Sequence, residues 1–337
     1  MDERFLVTGP CGQDGRILVN RLLLENKMVG GIVRSEKEKQ FLSKYAPGAQ
    51  IFLGDLNDKA VISRIIEEYD PSVIFHLAAQ SSVAESWKQP ELTYKINFQT
   101  TKNLLEILET LRKKETKFYF SASSEMYGSS QDHIQSETTR MYPVSPYAKS
   151  KFEAFTLIKE LRNSTDRYLV SGILFNHESP LRDERFVTRK ISLAAAKISL
   201  GLQDCLTLGD LNVVRDWGWA PDYVDGMLKI IRSSEPRDYL LATGKGYSLE
   251  YFVQRTFTLV GISDWENYVK VDHQLYRKRE LTHSSGDPSR AFHDLGWKAE
   301  KSLDFIINQM LENDIAVLKG SAEEGFWKPA DTEQVNI

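Results

Sequence analysis

The sequence predicts an α/β protein, with a Rossmann-type, doubly wound parallel sheet and a smaller, mostly C-terminal substrate-binding domain. Short apolar segments alternate with helical segments over the first half of the chain. These apolar segments lack the alternation of a sheet with one solvated face, so we expect helices on both faces. A glycine-rich turn directly follows the first apolar segment, as in dinucleotide-binding folds.

The elements follow in order from the N terminus. Strands are predicted at residues 4–8, 30–34, 50–56, 72–79, 117–123 and 168–176. Helices are predicted directly after the glycine-rich turn and at residues 61–69, 91–111 and 145–163. Beyond residue 176 the pattern loosens into charged loops, short strands and helices at 187–201 and 302–318.

This pattern suggests a division of the chain. Residues 1–176 are expected to form the Rossmann domain, with a return near 210–245 because the apolar run at 240–244 fits another strand of the sheet. Residues 177–319 are expected to bind the substrate. Residues 320–337 lack periodicity, so we expect a partly disordered tail.

Composition favours an ordinary globular protein. The chain has 337 residues, 41% of them hydrophobic and 27% charged, and its net charge is −4. No block of like charge indicates nucleic acid as a partner, and no apolar run is long enough for a membrane span. Cys11 and Cys205 cannot form a disulfide framework, and no metal-ligand spacing is present. We therefore expect a cytoplasmic protein that binds no metal.

A glycine pattern marks the exit of the first strand. Gly9, Gly12 and Gly15 give G-x-x-G-x-x-G between that strand and the first helix. Glycines allow a tight turn and a close approach to a pyrophosphate, and the free N–H groups of the helix attract its charge. This context predicts dinucleotide binding, although the spacing differs from the G-x-G-x-x-G typical of NAD-dependent dehydrogenases.

The ends of the second and third strands indicate which dinucleotide is bound. Arg34 lies where NAD enzymes place an acid against the ribose 2′-hydroxyl, and a cation there suits the 2′-phosphate of NADP. The alternative is an ordinary surface arginine. Asp55 and Leu56 are placed to meet an adenine ring, although the run GDLND also fits a helix N-cap.

Mostly small side chains follow the fourth strand, and they would let a cofactor lie across the edge of the sheet. They belong to the run Leu77, Ala78, Ala79, Gln80 and Ser81.

Four side chains are candidates for catalysis. Ser123 and Glu125 follow the fifth strand, whereas Tyr147 and Lys151 lie four residues apart on a predicted helix, and so on one face of it. A nearby lysine charge lowers the pKa of a phenol, which can then accept the proton of an alcohol. Ligands of open α/β sheets bind at the carboxyl ends of the strands, so the four side chains should share one cleft. The spacing of Tyr147 and Lys151 alone would also fit a surface helix.

From about residue 4 to residue 315 the chain resembles the extended short-chain dehydrogenases/reductases and, more narrowly, the GDP-mannose 4,6-dehydratase family. The resemblance rests on the segments TGPCGQDG, SSEMYG, YPVSPYAKSK, GILFNHESP, RFVTRKI, RDWG and YRKRELTHSSGD.

The resemblance implies roles for individual residues. The catalytic residues would be Ser123, Glu125, Tyr147 and Lys151. The residues holding NADP would be Gly9, Gly12, Gln13, Asp14, Gly15, Arg34, Asp55, Leu56, Leu77, Ala78, Ala79, Gln80, Ser81, Tyr147, Lys151, His177 and Arg182. The residues lining the GDP-sugar side would be Ser82, Ser123, Glu125, Asn176, Val187, Lys190, Arg215, Arg277 and Glu280.

The chain also departs from the family pattern. The usual Gly-Ile-Thr-Gly turn is Gly-Pro-Cys-Gly at residues 9–12, and the proline removes one N–H group from the phosphate cradle. The usual Thr-Ser-Glu is Ser-Ser-Glu at 123–125, and Arg-Pro-Thr-Glu is Arg-Lys-Arg-Glu at 277–280. The Arg-Arg-Ser-Ser loop, which reaches the cofactor of a neighbouring subunit in the family, is Arg-Ser-Glu-Lys at 34–37.

The activity that the resemblance implies is NADP-dependent dehydration of GDP-mannose, or of a close GDP-hexose or GDP-heptose, to the GDP-4-keto-6-deoxy sugar. A 4-reductase or an epimerase of a nucleotide sugar is the first alternative, and a regulatory NADP-binding protein with a degenerate site is the second. We expect a homodimer rather than a tetramer, because the shortened loop after Arg34 removes the basis of the further interface.

Overall fold

The computed structural model describes residues 3–128, 130, 132, 134–276 and 281–329. Its strands are β1 Arg4–Thr8, β2 Met28–Val33, β3 Gln50–Leu53, β4 Val73–His76, β5 Lys117–Ser123, β6 Leu169–Leu174, β7 Asn176–Glu178, β8 Leu206–Leu208, β9 Val214–Trp219, β10 Tyr239–Leu241, β11 Gly246–Ser248, β12 Val269–Val271 and β13 His283–Ser284. Its helices are α1 Gln13–Leu24, α2 Glu36–Tyr45, α3 Lys59–Tyr69, α4 Val83–Lys88, α5 Pro90–Tyr94, α6 Thr100–Thr110, α7 Pro146–Ser164, α8 Val187–Ser199, α9 Ala220–Arg232, α10 Leu249–Leu259, α11 Ser289–Leu295 and α12 Leu303–Leu318.

A parallel sheet of seven strands lies at the centre of the described part of the chain. Its strand order is β10-β6-β5-β4-β1-β2-β3, and each neighbouring pair is parallel. The order reverses between β1 and β4, which is the switch point at which open α/β sheets bind their ligands. The predicted α/β, doubly wound fold class is confirmed.

Helices cover both faces of this sheet. Val7 of β1 belongs to a buried apolar cluster with Leu18 and Leu22 of α1. Leu6, its neighbour in the strand, belongs to a second buried cluster with Leu104 of α6. Successive strand residues therefore both face apolar surroundings, which explains why the strands lack polar–apolar alternation.

The second half of the chain contributes to the sheet and builds a separate core. Residues 239–241 form β10, which pairs with β6, and so the chain returns to the sheet near the apolar run at 240–244. Segments α8, β8, α10 and α12 share a third buried cluster that includes Ile191, Phe252 and Ile307. The sheet β11-β9-β13, with β7 beside β9, lies between these parts of the chain.

Several predicted elements are shorter in the structure, such as β3 and β4, and α2 was not predicted. The helix predicted at 91–111 is α5, a π-helical turn at Lys95–Gln99 and α6, because Asn97 in that turn hydrogen-bonds sideways to the backbone of Gln80. Part of the tail before residue 330 contacts the rest of the chain. Phe326 packs edge-on against Phe41 at 5.3 Å between ring centroids. Within the described residues, no helix has the length and apolar character that crossing a membrane requires.

Candidate functional site

The glycine-rich turn packs against the loop after β4. Gly9 has φ +71°, and a Cβ there would lie 2.8 Å from the backbone nitrogen of Ala78. A Cβ on Gly15 would lie 2.2 Å from the carbonyl oxygen of Gly9, so both positions require glycine. Gly12 is the N-cap of α1, and no side chain in the described ranges caps it. The first N–H groups of α1 are thus available to an anion.

A charged pair lies behind this turn. Nε2 of His177 is 3.0 Å from both carboxylate oxygens of Asp14, and Nδ1 is 2.7 Å from the carbonyl oxygen of Phe175. Both ring nitrogens therefore face acceptors, which favours the doubly protonated ring. Burial opposes charge on both partners, but the pairing prevails: Asp14 raises the pKa of His177, and His177 lowers the pKa of Asp14. The amide of Gln13 donates to the carbonyl of His177 at 3.0 Å and fixes the pair against α1.

The residues predicted to meet an adenosine lie at the ends of β2 and β3. Arg34 is exposed and follows β2 directly. Asp55 accepts hydrogen bonds from the backbone and side chain of Asn57, which lower the pKa of its carboxyl group despite some burial. The helix N-cap in this run is Asp58, whose side chain accepts from Ala60 and Val61. Asp55 is therefore not the cap and stays a candidate for the nucleotide.

Side chains from β1 and from the π-helical turn hold the loop after β4. Ala78 donates its N–H group to the hydroxyl of Thr8 at 3.2 Å, and the N–H group of Gln80 reaches the side chain of Asn97 at 2.8 Å. Ser82 is the N-cap of α4 and accepts from Glu85. The other members of the run, Leu77, Ala79 and Ser81, are half-buried or exposed along the same edge of the sheet.

The four candidate catalytic residues are brought together as predicted. Ser123 ends β5, and its hydroxyl accepts from the N–H group of Glu125 at 3.3 Å. Tyr147 and Lys151 lie on α7, and the side chain of Tyr147 hydrogen-bonds that of Ser123. The ammonium of Lys151 donates to the carbonyl of Ser121 at 2.8 Å, underneath this group. A phenol, a hydroxyl and a carboxylate thus share one cleft, where they could move protons to and from a bound alcohol or ketone.

The pKa values of the tyrosine and the lysine differ from the expectation. Burial raises the pKa of Tyr147 to about 12, against the hydrogen bond from Ser123 and together with the Glu125 charge. Burial also lowers the pKa of Lys151 to about 7, against the attraction of Asp14. The lowering of the phenol pKa that was expected from the lysine charge does not appear, because burial dominates the pKa of Tyr147 and a lysine with a pKa of about 7 is only partly charged near neutral pH.

The predicted sugar-side residues lie on three elements. Asn176 begins β7, Val187 begins α8, and Lys190 donates to the carbonyl of Thr207 at 2.7 Å. Arg215 of β9 is buried, and its guanidinium donates to the carbonyl of Leu281 at 2.7 Å. The predicted residues Arg277 and Glu280 lie outside the described residues.

Several residues that organise this site carry no sequence signal of their own. Arg182 was identified by resemblance, but its buried partner Glu178, 3.0 Å from its Nε atom, was not. The Arg182 guanidinium also stacks on Phe186 at 3.7 Å from the ring centroid. Asp216 accepts from the backbone N–H groups of Thr243 and Gly244, and so ties the loop after β10 to β9. Such contacts join residues that are distant in the chain, so no local pattern reports them.

Comparison with known families and sequences gives one consistent match. A sequence model described as GDP-mannose 4,6 dehydratase matches residues 6–310. The GDP-mannose 4,6-dehydratase of Sinorhizobium fredii (strain HH103) is 38% identical over 344 aligned residues, covering 94% of this chain and 98% of the relative. The GDP-mannose 4,6 dehydratase of Homo sapiens is 36% identical, covering 93% of this chain and 92% of the relative.

Solved structures share the fold at lower sequence identity. A UDP-glucose 4-epimerase from Thermotoga maritima superposes with a TM-score of 0.83 at 24% identity, covering 94% of this chain and 99% of that one. RMD from Pseudomonas aeruginosa, complexed with NADPH, gives a TM-score of 0.76 at 23% identity, with 94% and 99% of the two chains covered.

Proposed function

The chain belongs to the GDP-mannose 4,6-dehydratase family, and from that premise we propose that it removes water from GDP-mannose, or from a close GDP-hexose or GDP-heptose, to give the GDP-4-keto-6-deoxy sugar. The observation that carries this proposal is the close grouping of Tyr147, Ser123 and Glu125, in which the phenol interacts with both of the other residues and the N–H group of Glu125 bonds the Ser123 hydroxyl. A simple epimerase needs the phenol but has no use for a base at C5.

The proposed cofactor is NADP. The cradle supports it, because side chains at Gly9 or Gly15 would collide with backbone atoms and the N-terminus of α1 is open to a pyrophosphate. Arg34 would face the 2′-phosphate, and Lys151 would hold the ribose of the nicotinamide half. When bound there, NADP would supply reversible hydride transfer to and from the sugar. RMD from Pseudomonas aeruginosa, which shares the fold, is complexed with NADPH, whereas UDP-glucose 4-epimerases of the same fold are complexed with NAD, so the choice of NADP rests on Arg34.

Tyr147 acts on the C4 hydroxyl in this proposal. Its hydroxyl group lies against Ser123, and Lys151 lies below it against Ser121. Tyr147 takes the C4 proton as the ketone forms, and Ser123 shares the hydrogen bond that steadies the phenolate. With a pKa of about 12 the phenol is protonated near neutral pH, so formation of the phenolate in this proposal depends on a positive charge at Lys151 beside it.

Glu125 acts on the neighbouring carbons. A C4 ketone makes the C5 proton acidic, and a carboxylate within reach removes it by general-base catalysis. The same carboxyl group then protonates the departing C6 hydroxyl, which leaves as water. The N–H group of Glu125 is fixed to the side chain of Ser123, which sets the start of this side chain relative to Tyr147.

The GDP moiety would lie on the C-terminal side of the cleft. Ser82, Asn176, Val187 and Lys190 would line this side in our proposal, and Arg215, which is a buried cation, would face the phosphates. Arg277 and Glu280 complete the proposed set, on the evidence of the resemblance alone. Ser82, Asn176, Val187 and Lys190 belong to three separate elements, as expected for a site that contacts a long ligand.

Stoichiometry separates this proposal from its closest alternative. A 4-reductase on the same scaffold would use Tyr147 and Lys151 but would consume one reduced cofactor for each product. The dehydratase should convert GDP-mannose without net use of NADPH and give a product lighter by one water molecule. Failure to convert GDP-mannose, together with consumption of one NADPH for each product when a GDP-4-keto sugar is supplied, would support the reductase instead.

Cofactor binding should take up a proton above a pH of about 7, because Lys151 has a pKa of about 7 in the free protein. A pyrophosphate nearby favours the ammonium form and raises that pKa, so above it binding must bring in a proton and affinity must fall as pH rises. Calorimetry in two buffers with different protonation enthalpies would measure this uptake. Lys151→Met should abolish it. An unchanged binding enthalpy for the wild type in both buffers would contradict the prediction.

We propose that the protein is a homodimer formed through the helices at 91–111 and 145–163. Leu92 and Tyr94 on α5 are 45% and 40% exposed, and the proposed partner would cover them. Light scattering should report a dimer, and Leu92→Glu should shift it to the monomer. Leu202→Glu, at a 62% exposed position outside these helices, should leave the dimer intact. A stable tetramer at low micromolar concentration would contradict this assembly.

A further inference from the structure

The first turn of α2 contains a carboxylate where a phosphate would be expected. Oε2 of Glu38 accepts a hydrogen bond from the backbone N–H group of Arg34 at 2.7 Å. Its other oxygen lies 3.6 Å from the guanidinium of the same arginine. The N–H group of Glu38 donates to the Ser35 hydroxyl at 3.2 Å, which fixes the start of the side chain. One carboxylate thus occupies both the N–H group and the cation that Arg34 offers to an anion.

This carboxylate lies beside the glycine-rich turn. β2 neighbours β1 in the sheet, and the thiol of Cys11 donates to the Glu38 carbonyl at 3.7 Å. The charge of Arg34 also contributes to lowering the pKa of Asp55 after β3. Arg34 and Glu38 therefore lie between the pyrophosphate cradle and the proposed adenine position, which is where the adenosine ribose lies in dinucleotide-binding folds.

The two cofactors differ in what they would meet here. The 2′-phosphate of NADP carries the same sign of charge as Glu38 and needs the same two donors, so it must displace the carboxylate or share the arginine with it. The 2′-hydroxyl of NAD is neutral and can donate a hydrogen bond to a carboxylate. The acid that selects NAD in this way directly follows the second strand. Arg34 holds that position here, and Glu38 is the carboxylate that contacts Arg34.

We propose that Glu38 sets the cofactor selectivity of this enzyme, holding the preference for NADP below the level that Arg34 alone would give. The wild type then accepts both nucleotides, with a modest preference for NADP. Glu38 touches the cofactor site without taking part in the chemistry on the sugar. This inference rests on the proposed NADP site, and it makes the cofactor preference a balance between one cation and one competing anion.

The test is calorimetric titration of the wild type and Glu38→Gln with NADP and with NAD. The amide is the same size and can still accept from the Arg34 N–H group, but it carries no charge. We expect Glu38→Gln to bind NADP about tenfold more tightly, since one like charge beside the phosphate is removed, with NAD affinity equal or weaker. Glu36→Gln is the matched control, because Glu36 is exposed in the same helical turn. It removes the same net charge and should leave the ratio of the two affinities within about twofold.

Each outcome has a definite meaning. If the ratio of NADP affinity to NAD affinity is equal in Glu38→Gln and Glu36→Gln, the proposal is overturned, because the change in net charge would then explain any difference from the wild type. If Glu38→Gln folds poorly, Glu38→Ala can take its place in the comparison, provided that its melting temperature matches that of the wild type. Binding of neither nucleotide by the wild type would overturn the proposed cofactor site itself. Because turnover is never measured here, an error in the proposed sugar substrate would leave this test unaffected.

Discussion

Replacing Tyr147 with phenylalanine should slow the dehydration of GDP-mannose by roughly 10²–10⁴-fold, the usual contribution of a positioned proton-transfer group. The variant lacks the hydroxyl group that bonds Ser123 and takes the C4 proton. No C4 ketone should form, so the C5 proton never becomes acidic. In deuterated water, the sugar recovered from this variant should therefore carry no label at C5.

A second tyrosine provides the control for this variant. Tyr251 stacks on Tyr247 at 5.2 Å between ring centroids and is 38% exposed, so Tyr251→Phe removes a hydroxyl outside the proposed cleft. Its activity should match the wild type. Dehydration by Tyr147→Phe at more than about a tenth of the wild-type rate, with melting temperature unchanged, would show that this phenol is not the C4 base.

Replacing Glu125 with glutamine should slow the overall reaction by a similar factor, roughly 10²–10⁴-fold, but for a different reason. The amide keeps the size of the side chain and cannot accept the C5 proton. Oxidation at C4 depends on Tyr147 and Lys151, so the ketone should still form and then accumulate on the enzyme. Reduction with borodeuteride in a single turnover should place deuterium at C4 of the recovered GDP-sugar.

Exchange at C5 separates the two roles. Glu125→Gln should give deuterium at C4 after borodeuteride reduction but no exchange of solvent deuterium at C5. Tyr147→Phe should give deuterium at neither carbon. Glu250→Gln, at an exposed position in the first turn of α10, should behave as the wild type. Exchange at C5 by Glu125→Gln at the wild-type rate would assign the C5 base to another residue.

Local sequence patterns were sufficient for the Rossmann part of the fold. The strand predicted at 4–8 is β1, and the strand predicted at 117–123 is β5, because buried parallel strands are continuous apolar runs that few other structures produce. The glycine-rich turn is also recognisable from the sequence, because a side chain at Gly9 or Gly15 would collide with backbone atoms. Spacing alone also indicated that Tyr147 and Lys151 share a helix face.

The missing information concerns contacts between distant residues. The π-helical turn at 95–99 depends on Asn97 reaching Gln80, and nothing in the run KINFQ indicates such a bond. The tail residue Phe326 follows α12 and packs on Phe41 of α2. These two residues are far apart in the chain, so no local pattern indicates their contact. The lowered pKa of Lys151 could not be predicted for the same reason, because the burial of Lys151 is a property of the folded chain.

Transfer of a label within one sugar tests the central proposal most directly. GDP-mannose deuterated at C4 should be mixed with GDP-mannose that is uniformly labelled with carbon-13, and the protein should convert the mixture with catalytic NADP. We expect a product lighter by one water molecule that carries the deuterium at C6, and only in molecules without carbon-13. Deuterium that stays at C4, or a product that retains all its oxygen atoms, would contradict dehydration through C4 oxidation and hydride return to C6.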